Sequence, residues 1–286
     1  MKPIVTIMAP GGMGAALGTR LVQHGVEVRA ALAGRSASTV ARAFAAGFTA
    51  VEEAELIDVD IFLSVVPPNE AFSLAKRIAE SLRPAKRRPV YVDCNAVNPE
   101  TAAKIAAVIE GAGGPFVDGS LIGLPPREGT AGPTLFVSGP QAKAVAVLND
   151  YGLAVSVLDG PVGAASALKM SYAGVTKGLI ALGSAMILAA DRAGAGEALR
   201  DELAKSQAQL FAGFGRSIPD MFGKARRWVP EMNEMAGFVT GDPAAEQIFA
   251  GFAALYERLA ADNDGKRGEI DTLQRFFQTP GKTDSP

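Results

Sequence analysis

A glycine-rich turn stands near the start of the chain, between a β-branched run and a helical pattern. The run covers Ile4–Met8, the turn reads Ala9-Pro10-Gly11-Gly12-Met13-Gly14, and the helix follows over residues 15–23. Glycines in this context let the backbone approach a pyrophosphate at the N-terminus of the helix. The pattern predicts a dinucleotide-binding turn, although alanine occupies the first fingerprint position; the alternative is an ordinary tight turn between strand and helix. The residues predicted to bind the cofactor here are Pro10, Gly11, Gly12, Met13 and Gly14.

Short β-branched runs alternate with helical patterns through the first 160 residues. The runs are residues 4–8, 26–32, 61–66, 90–93, 116–118, 134–138 and 155–158. The alternation predicts βαβ units and an α/β Rossmann domain with a doubly wound, mainly parallel sheet. After Gly160-Pro161 only helical periodicity remains, so an all-α C-terminal domain is expected. The predicted domains are residues 1–162 and 163–286.

Composition narrows the classes of partner. A formal net charge of -2 and a pI near 5.6 leave no basic surplus for a nucleic-acid backbone or an anionic membrane. The apolar stretch over residues 178–190 is too short to span a bilayer. We therefore expect a cytoplasmic protein that acts on a small-molecule substrate and binds neither nucleic acid nor membrane.

The single cysteine and the single histidine restrict the chemistry. Cys94 alone can form neither an internal disulfide nor a CxxC zinc pair, and no metal site is predicted. His24 lies between the first predicted helix and the second strand, on the sheet edge opposite the ligand crevice. Proton transfer is therefore expected from Lys, Asp, Glu, Tyr or Cys.

The loop after the second strand indicates which dinucleotide is bound. An NAD-specific protein usually carries an acidic residue there for the ribose hydroxyls, but no acid occurs between Glu27 and Glu52. Arg35 can instead pair with a 2′-phosphate, and Ser36 can add a donor. NADP is therefore favoured over NAD; the alternative is a solvated loop arginine.

A long apolar helical segment, residues 164–190, has two lysines as its only charged residues. A helix that is apolar nearly all round is buried, and burying an ammonium group without a partner is costly. Lys177 is turned about 80° away from Lys169 by the 3.6-residue period. We predict that Lys169 faces the cleft and exchanges a proton with the substrate, its pKa lowered by desolvation. The alternative is a lysine at the domain border with its head in water.

Six segments in chain order resemble one superfamily. They are IMAPGGMGAALGTRL, LSVVPP, YVDCNAVNPET, VDGSLIGLPP, GAASALKMSYAGVTKG and RRWVPEMNEM. Together they look like the β-hydroxyacid dehydrogenase and 6-phosphogluconate dehydrogenase superfamily, and more closely its branch with a DUF1932-type C-terminal domain. The resemblance covers almost the whole chain. It implies hydride exchange between a nicotinamide and a hydroxyl-bearing carbon, and a homodimer formed through the helical domain.

The resemblance also implies roles for individual residues. Lys169 matches the family's catalytic lysine, which takes the hydroxyl proton as hydride leaves and returns one in reduction. Asn95 falls where the family has a small polar residue near the nicotinamide, and Val66 and Pro67 fall on its cofactor-lining loop. The residues implied to bind substrate are Ser120, Ile122, Gly123 and Tyr172.

Two of these positions depart from the family pattern. Ile122 replaces the usual serine before the glycine, and Tyr172 replaces the asparagine three residues after the lysine. Both positions normally hold a substrate carboxylate or hydroxyl, so a bulkier or less polar substrate than a standard small hydroxy acid is favoured. Retention of Lys169 argues against the imine reductases, which usually have another residue there.

The segment around the lone tryptophan allows two interpretations. Arg226, Arg227 and Trp228 can wall the substrate pocket, where an arginine would supply an anion contact. Alternatively Trp228 lies in the core of a helical domain. Three functions remain open at this point: an NADP-dependent alcohol or hydroxy-acid dehydrogenase, an imine reductase or reductive aminase, and a protein that binds NADP without turnover.

Overall fold

The computed structural model describes residues 2–126, 129–130 and 132–278. Its strands are β1 (Ile4–Met8), β2 (Glu27–Ala30), β3 (Thr49–Ala50), β4 (Ile61–Ser64), β5 (Val90–Asp93), β6 (Phe116–Ile122), β7 (Thr134–Ser138) and β8 (Ala154–Val157). Its α-helices are α1 (Gly12–Gln23), α2 (Ala37–Ala45), α3 (Pro68–Leu82), α4 (Pro99–Gly111), α5 (Ala164–Arg192), α6 (Gly196–Ser206), α7 (Ala208–Phe222), α8 (Ala225–Phe238), α9 (Pro243–Asp264) and α10 (Gly268–Phe276). Two 3₁₀ helices cover Glu53–Ile57 and Ala142–Tyr151.

The strands form one sheet in the order β3-β2-β1-β4-β5-β6-β7-β8. Every neighbouring pair is parallel except β6 and β7, which are antiparallel. The order reverses between β1 and β4, and the carboxyl ends of the strands at such a reversal are where open α/β sheets bind ligands. The glycine turn follows β1, so it lies at this switch point. The predicted Rossmann domain followed by an all-α region is confirmed.

Apolar layers cover both faces of the sheet. One layer packs Leu21 of α1 against Val5 and Val28 of the sheet. In the other, the rings of Phe62 and Tyr91 stack with centroids 5.1 Å apart, and that of Phe116 lies 6.1 Å from Tyr91. These residues are fully buried, which fits strands that read as nearly continuous apolar runs.

The chain divides into two compact units, Met1–Met170 and Ser171–Pro286. In the second unit α8 packs on α9, with Trp228 and Tyr256 in an edge-to-face arrangement. Helix α5 begins at Ala164, directly after the predicted boundary at residues 162–163, and the division by contacts falls inside that helix.

Helix α5 is longer than the apolar stretch considered from the sequence. By length and composition it could cross a membrane, with a mean hydropathy of 1.6 in its most apolar window, and 44% of that window is buried. The argument that the stretch over residues 178–190 is too short therefore does not hold for the whole helix. A partly buried core helix passes the same test, so α5 alone is weak ground for a membrane span.

Candidate active site

The glycine turn leaves open space above the N-terminus of α1. A Cβ added at Gly11 or Gly12 would meet nothing within 4 Å, whereas one at Gly14 would lie 2.4 Å from the carbonyl oxygen of Ala9. Gly14 therefore lets the helix pack on the strand, and the first two glycines leave the turn uncovered. No side chain caps α1, although Ser36 caps α2 and Asn98 caps α4. The free N–H groups of this first turn fit an anionic diphosphate. Pro10 is buried beneath them.

A cavity of about 190 Å³ lies beside the loop after β2. Its lining residues are Met8, Arg35, Val66, Glu70, Ser73, Leu74 and Arg77. Arg35 is exposed and follows Gly34, whose φ of 71° suits glycine. Ser36 caps α2 by accepting from the backbone N–H of Thr39, so its oxygen already has a structural role.

Sequence reasoning missed Ser73 and Arg77 as cavity residues. Both lie on α3 with Glu70, at spacings of three and four residues, so they share one helix face. The face that these three residues share could have been recognised from their spacing. Its closeness to Arg35 could not, because Arg35 lies in the loop after β2. Two guanidinium groups beside one cavity make it suited to a phosphate.

Asn95 holds the loop that follows β4. Its Oδ1 accepts from the backbone N–H of Val66 at 2.6 Å, and its Nδ2 donates to Ser64 Oγ at 2.8 Å and to Asp93 Oδ1. Asn95 is 3% exposed. Both amide hydrogens are therefore used inside the protein, and the amide oxygen fixes Val66 in this loop. The contact of Asn95 with the cofactor stays a prediction. Pro67, next in the loop, is exposed.

A row of polar residues crosses four neighbouring strands of the sheet, at the last residue of β4, β5 and β7 and at the third residue of β6. Ser64, Asp93, Asp118 and Ser138 are successive register partners on β4, β5, β6 and β7. All four are fully buried. Burial, together with the charge of Asp118, raises the pKa of Asp93 from 3.8 to about 7. The row therefore contains a carboxyl group that changes charge near neutral pH.

Lys169 lies on α5, three residues after Ser166, whose hydroxyl donates to Asp118 of this row. Its Nζ donates to the carbonyl oxygen of Leu121 on β6. Burial lowers the pKa of its ammonium group, which favours the neutral amine that a proton acceptor needs. Lys177, two turns further on, instead pairs with Glu231 and lies 5.2 Å from the centroid of the Trp228 ring. The two lysines therefore have different environments.

The segment implied to bind substrate lies in and just after β6, a strand longer than the residues 116–118 predicted from the sequence. Ser120 is fully buried, because alternation places its side chain on the same face as Asp118. Its contact with substrate stays a prediction. Ile122 is partly buried and Gly123 is exposed, with a φ of 130°. Tyr172, in the second unit, is 53% exposed.

Of the two interpretations of the tryptophan segment, the structure agrees with the one that places Trp228 in the core of the helical unit. Trp228 is 6% exposed and packs on Tyr256 within the second unit. Arg226 pairs with Asp264 on the surface at 2.6 Å, and Arg227 is exposed. Within this unit the tryptophan contributes to packing, and Arg226 is held by an acid.

Comparison with known proteins gives two matches to family models. The NAD binding domain of 6-phosphogluconate dehydrogenase matches residues 5–157, and DUF1932, a domain of unknown function, matches residues 190–259. Both agree with the resemblance drawn from the sequence segments.

Solved structures share the fold over nearly the whole chain. The conserved protein MTH1747, of unknown function and similar in structure to 3-hydroxyacid dehydrogenases, is 29% identical, with a TM-score of 0.75 over 94% of this chain and 98% of the other. A Mycobacterium tuberculosis 3-hydroxyisobutyrate dehydrogenase is 19% identical, with a TM-score of 0.70 over 96% and 100%. A Myxococcus stipitatus imine reductase variant, in complex with NAD+, is 20% identical, with a TM-score of 0.58 over 97% and 100%.

Proposed function

The chain belongs to the family of the NAD binding domain of 6-phosphogluconate dehydrogenase, and on that basis we propose that it is an NADP-dependent oxidoreductase acting on a hydroxyl-bearing carbon. Its substrate is a small hydroxy acid or a bulkier alcohol. The observation that carries this proposal is Lys169, a partly buried amine with a lowered pKa held at the end of β6. Loss of turnover in Lys169→Met, with NADPH binding retained, is the result that tests it.

The chain's own residues bind the cofactor and move the proton. The N–H groups of Gly12, Met13 and Gly14 would hold the pyrophosphate of a bound dinucleotide, and Val66 and Pro67 would line the cofactor. When bound, the nicotinamide accepts or supplies the hydride. In oxidation Lys169 Nζ takes the proton from the substrate hydroxyl, and in reduction it returns a proton to the carbonyl oxygen. Ile122 and Tyr172, in place of a serine and an asparagine, favour a less polar substrate.

We propose that Arg35 sets the preference for NADP. The cavity that it lines also contains Arg77 and Ser73, so a 2′-phosphate would meet two guanidinium groups and a hydroxyl. Arg77 is also held by Glu53 at 3.0 Å, which leaves Arg35 as the main phosphate contact. Glu70, in the same cavity, can accept from a ribose hydroxyl.

Arg35→Ala is expected to weaken NADPH binding by about 10- to 100-fold, because a charged hydrogen bond to phosphate is lost. NADH binding should change by less than about twofold, because NADH lacks the 2′-phosphate. Isothermal titration calorimetry with both cofactors measures the two affinities. Arg83→Ala, which removes an exposed arginine of the same domain, is the charge control. Equal weakening of both cofactors would contradict the assignment.

We also propose that the chain forms a homodimer through α5. Four large apolar side chains repeat at spacings of three and four residues along one side of this helix, and all are exposed: Val175, Leu179, Leu182 and Met186. Such spacing makes a continuous apolar stripe. A stripe of this kind supports association with a second copy that presents the same surface.

Leu179→Glu is expected to convert a dimer to a monomer at micromolar concentration, because it places a charge at the centre of the stripe. Size-exclusion chromatography with light scattering measures the molar mass, which should fall by half. Phe44→Glu, which changes an exposed apolar residue of the other unit, is the control and should keep the wild-type mass. A wild-type monomer, or a dimer unaffected by Leu179→Glu, would contradict the proposal.

Imine reduction is a second candidate. It is favoured by the shared fold with the imine reductase and by the loss of the usual polar residues at Ile122 and Tyr172. In that reaction a protonated iminium accepts hydride and needs no proton from Lys169. The presence of a partly buried lysine at position 169 favours the dehydrogenase.

A further inference from the structure

The start of α5 is held by two strands of the sheet. The carboxylate of Asp118 on β6 accepts from the backbone N–H groups of Gly163 and Ser166, each at 3.0 Å, and from Ser166 Oγ at 2.6 Å. Ser138 on β7 donates its hydroxyl to Asp118 and accepts from the backbone N–H of Ala165, both at 3.0 Å. The helix is therefore capped by side chains from residues 27 to 48 positions earlier in the chain.

These contacts satisfy the first N–H groups of the helix. The remaining one, from Ala164, donates to the carbonyl oxygen of Pro161 at 3.1 Å. A helix start normally leaves such donors to water or to its own capping side chain. Here the cap comes from the sheet, so the first turn of α5 is fixed to β6 and β7. By contrast, no side chain caps the N-terminus of α1, where the diphosphate is proposed to bind.

The same strand also meets the helix one turn further on. Leu121, three residues after Asp118 on β6, accepts from Lys169 Nζ, three residues after Ser166 on α5. Two contacts along one strand fix both the rotation and the axial position of a helix. If the first contact were lost, the turn carrying Lys169 would shift relative to β6.

We propose that Asp118, supported by Ser138, is a positioning residue that fixes α5 at the register in which Lys169 Nζ meets the end of β6. The inference rests on the proposed role of Lys169. This positioning role accounts for the charged side chain of Asp118 in a buried position. The Asp118 carboxylate accepts four hydrogen bonds, which offset the cost of burial. The carboxylate also lies at the positive end of the helix dipole.

The test compares Asp118→Ala, Asp118→Asn and Ser138→Ala. Asparagine keeps one oxygen for the backbone donors, and Ser166 Oγ can accept from its amide, so Asp118→Asn should retain most of the turnover. Asp118→Ala should lower kcat by about 10- to 100-fold, the size of effect that misplacing a catalytic group produces, and Ser138→Ala should lower it less. The dissociation constant for NADPH should stay within about twofold, because the glycine turn is untouched.

Hydrogen exchange followed by mass spectrometry gives a readout independent of substrate. Amides of residues 163–169 should exchange faster in Asp118→Ala and Ser138→Ala than in the wild type, because the opened cap lets the first turn unfold locally. The matched control is Asp242→Ala, which removes the carboxylate that caps α9. It should speed exchange at the start of α9 and leave kcat unchanged. If Asp118→Ala fails to fold, Ser138→Ala decides the outcome.

Two results would overturn the inference. One is unchanged exchange over residues 163–169 in the folded variants. The other is an equal loss of kcat and NADPH affinity, which would indicate a general structural defect. Absence of turnover in the wild type would instead contradict the proposed function, and the exchange data would still decide whether Asp118 holds the helix.

Discussion

Lys169→Met is expected to lower turnover of hydroxyl-bearing substrates by about 10²- to 10⁴-fold, the range of general acid–base catalysis. Methionine keeps the length and apolar packing of the side chain but cannot exchange a proton. The affinity for NADPH should stay within about twofold, because Lys169 Nζ contacts Leu121 near the end of β6 and not the glycine turn. Steady-state kinetics with β-hydroxy acids and larger alcohols, together with NADPH titration, measure the two effects separately.

The matched control is Lys177→Met on the same helix. Lys177 pairs with Glu231 inside the helical unit, so its replacement should affect stability more than turnover. Loss of turnover in Lys177→Met, with Lys169→Met still active, would assign the proton transfer to Lys177 and contradict the role of Lys169. Survival of activity on amine-derived substrates in Lys169→Met would favour imine reduction. NADP binding without hydride transfer to any carbonyl would indicate a protein without turnover.

Asp93→Asn is expected to remove about 3 kcal/mol of pH-dependent stability between pH 5 and pH 8. Asp93 has a folded-state pKa of about 7 against 3.8 for the free side chain. With a raised acid pKa, the contribution to stability is fully present below the unfolded value and is lost progressively as pH rises to the folded value. About two pH units of that range lie between pH 5 and the folded value of about 7. Each pKa unit corresponds to about 1.4 kcal/mol. The wild type should therefore lose stability from pH 5 to pH 8, and Asp93→Asn should lose less.

Urea unfolding at the two pH values measures this difference. Asp150→Asn, at an exposed position, should follow the wild type. If the free energies of unfolding of the wild type and Asp93→Asn change in parallel with pH, Asp93 does not titrate in this range. The buried polar row would then lack the charge change assigned to it.

Local patterns made much of the Rossmann domain predictable. The glycine turn and the apolar helix with its lysine are each contained in a short stretch of sequence. The β-branched runs alternate with helical patterns over a longer distance, but each run is itself short. The two-residue strand β3 was missed because Thr49–Ala50 is too short to show a period. The length of β6 was underestimated because Gly119 and Ser120 are poor strand formers, and pairing with β7 overrides that preference.

The contacts that surround the site could not be predicted in the same way. Asp118, Ser138 and Ser166 come together only through the register of β6 with β7 and the position of α5. Likewise the hydrogen bond from the backbone N–H of Val66 to Asn95 depends on the pairing of β4 with β5, which no local pattern specifies. A motif marks which segment carries function, whereas the side that each residue faces depends on pairing between distant strands.

A titration of the wild-type protein with NADPH and with NADH, followed by nicotinamide fluorescence, tests directly whether this chain binds a nicotinamide dinucleotide and which one it prefers. We expect saturable binding with one site per chain and tighter binding of NADPH than of NADH. Saturable binding of NADH alone would contradict the preference assigned to Arg35. Binding of neither cofactor would contradict the nucleotide role of the glycine turn, and with it the proposal that this chain is an oxidoreductase.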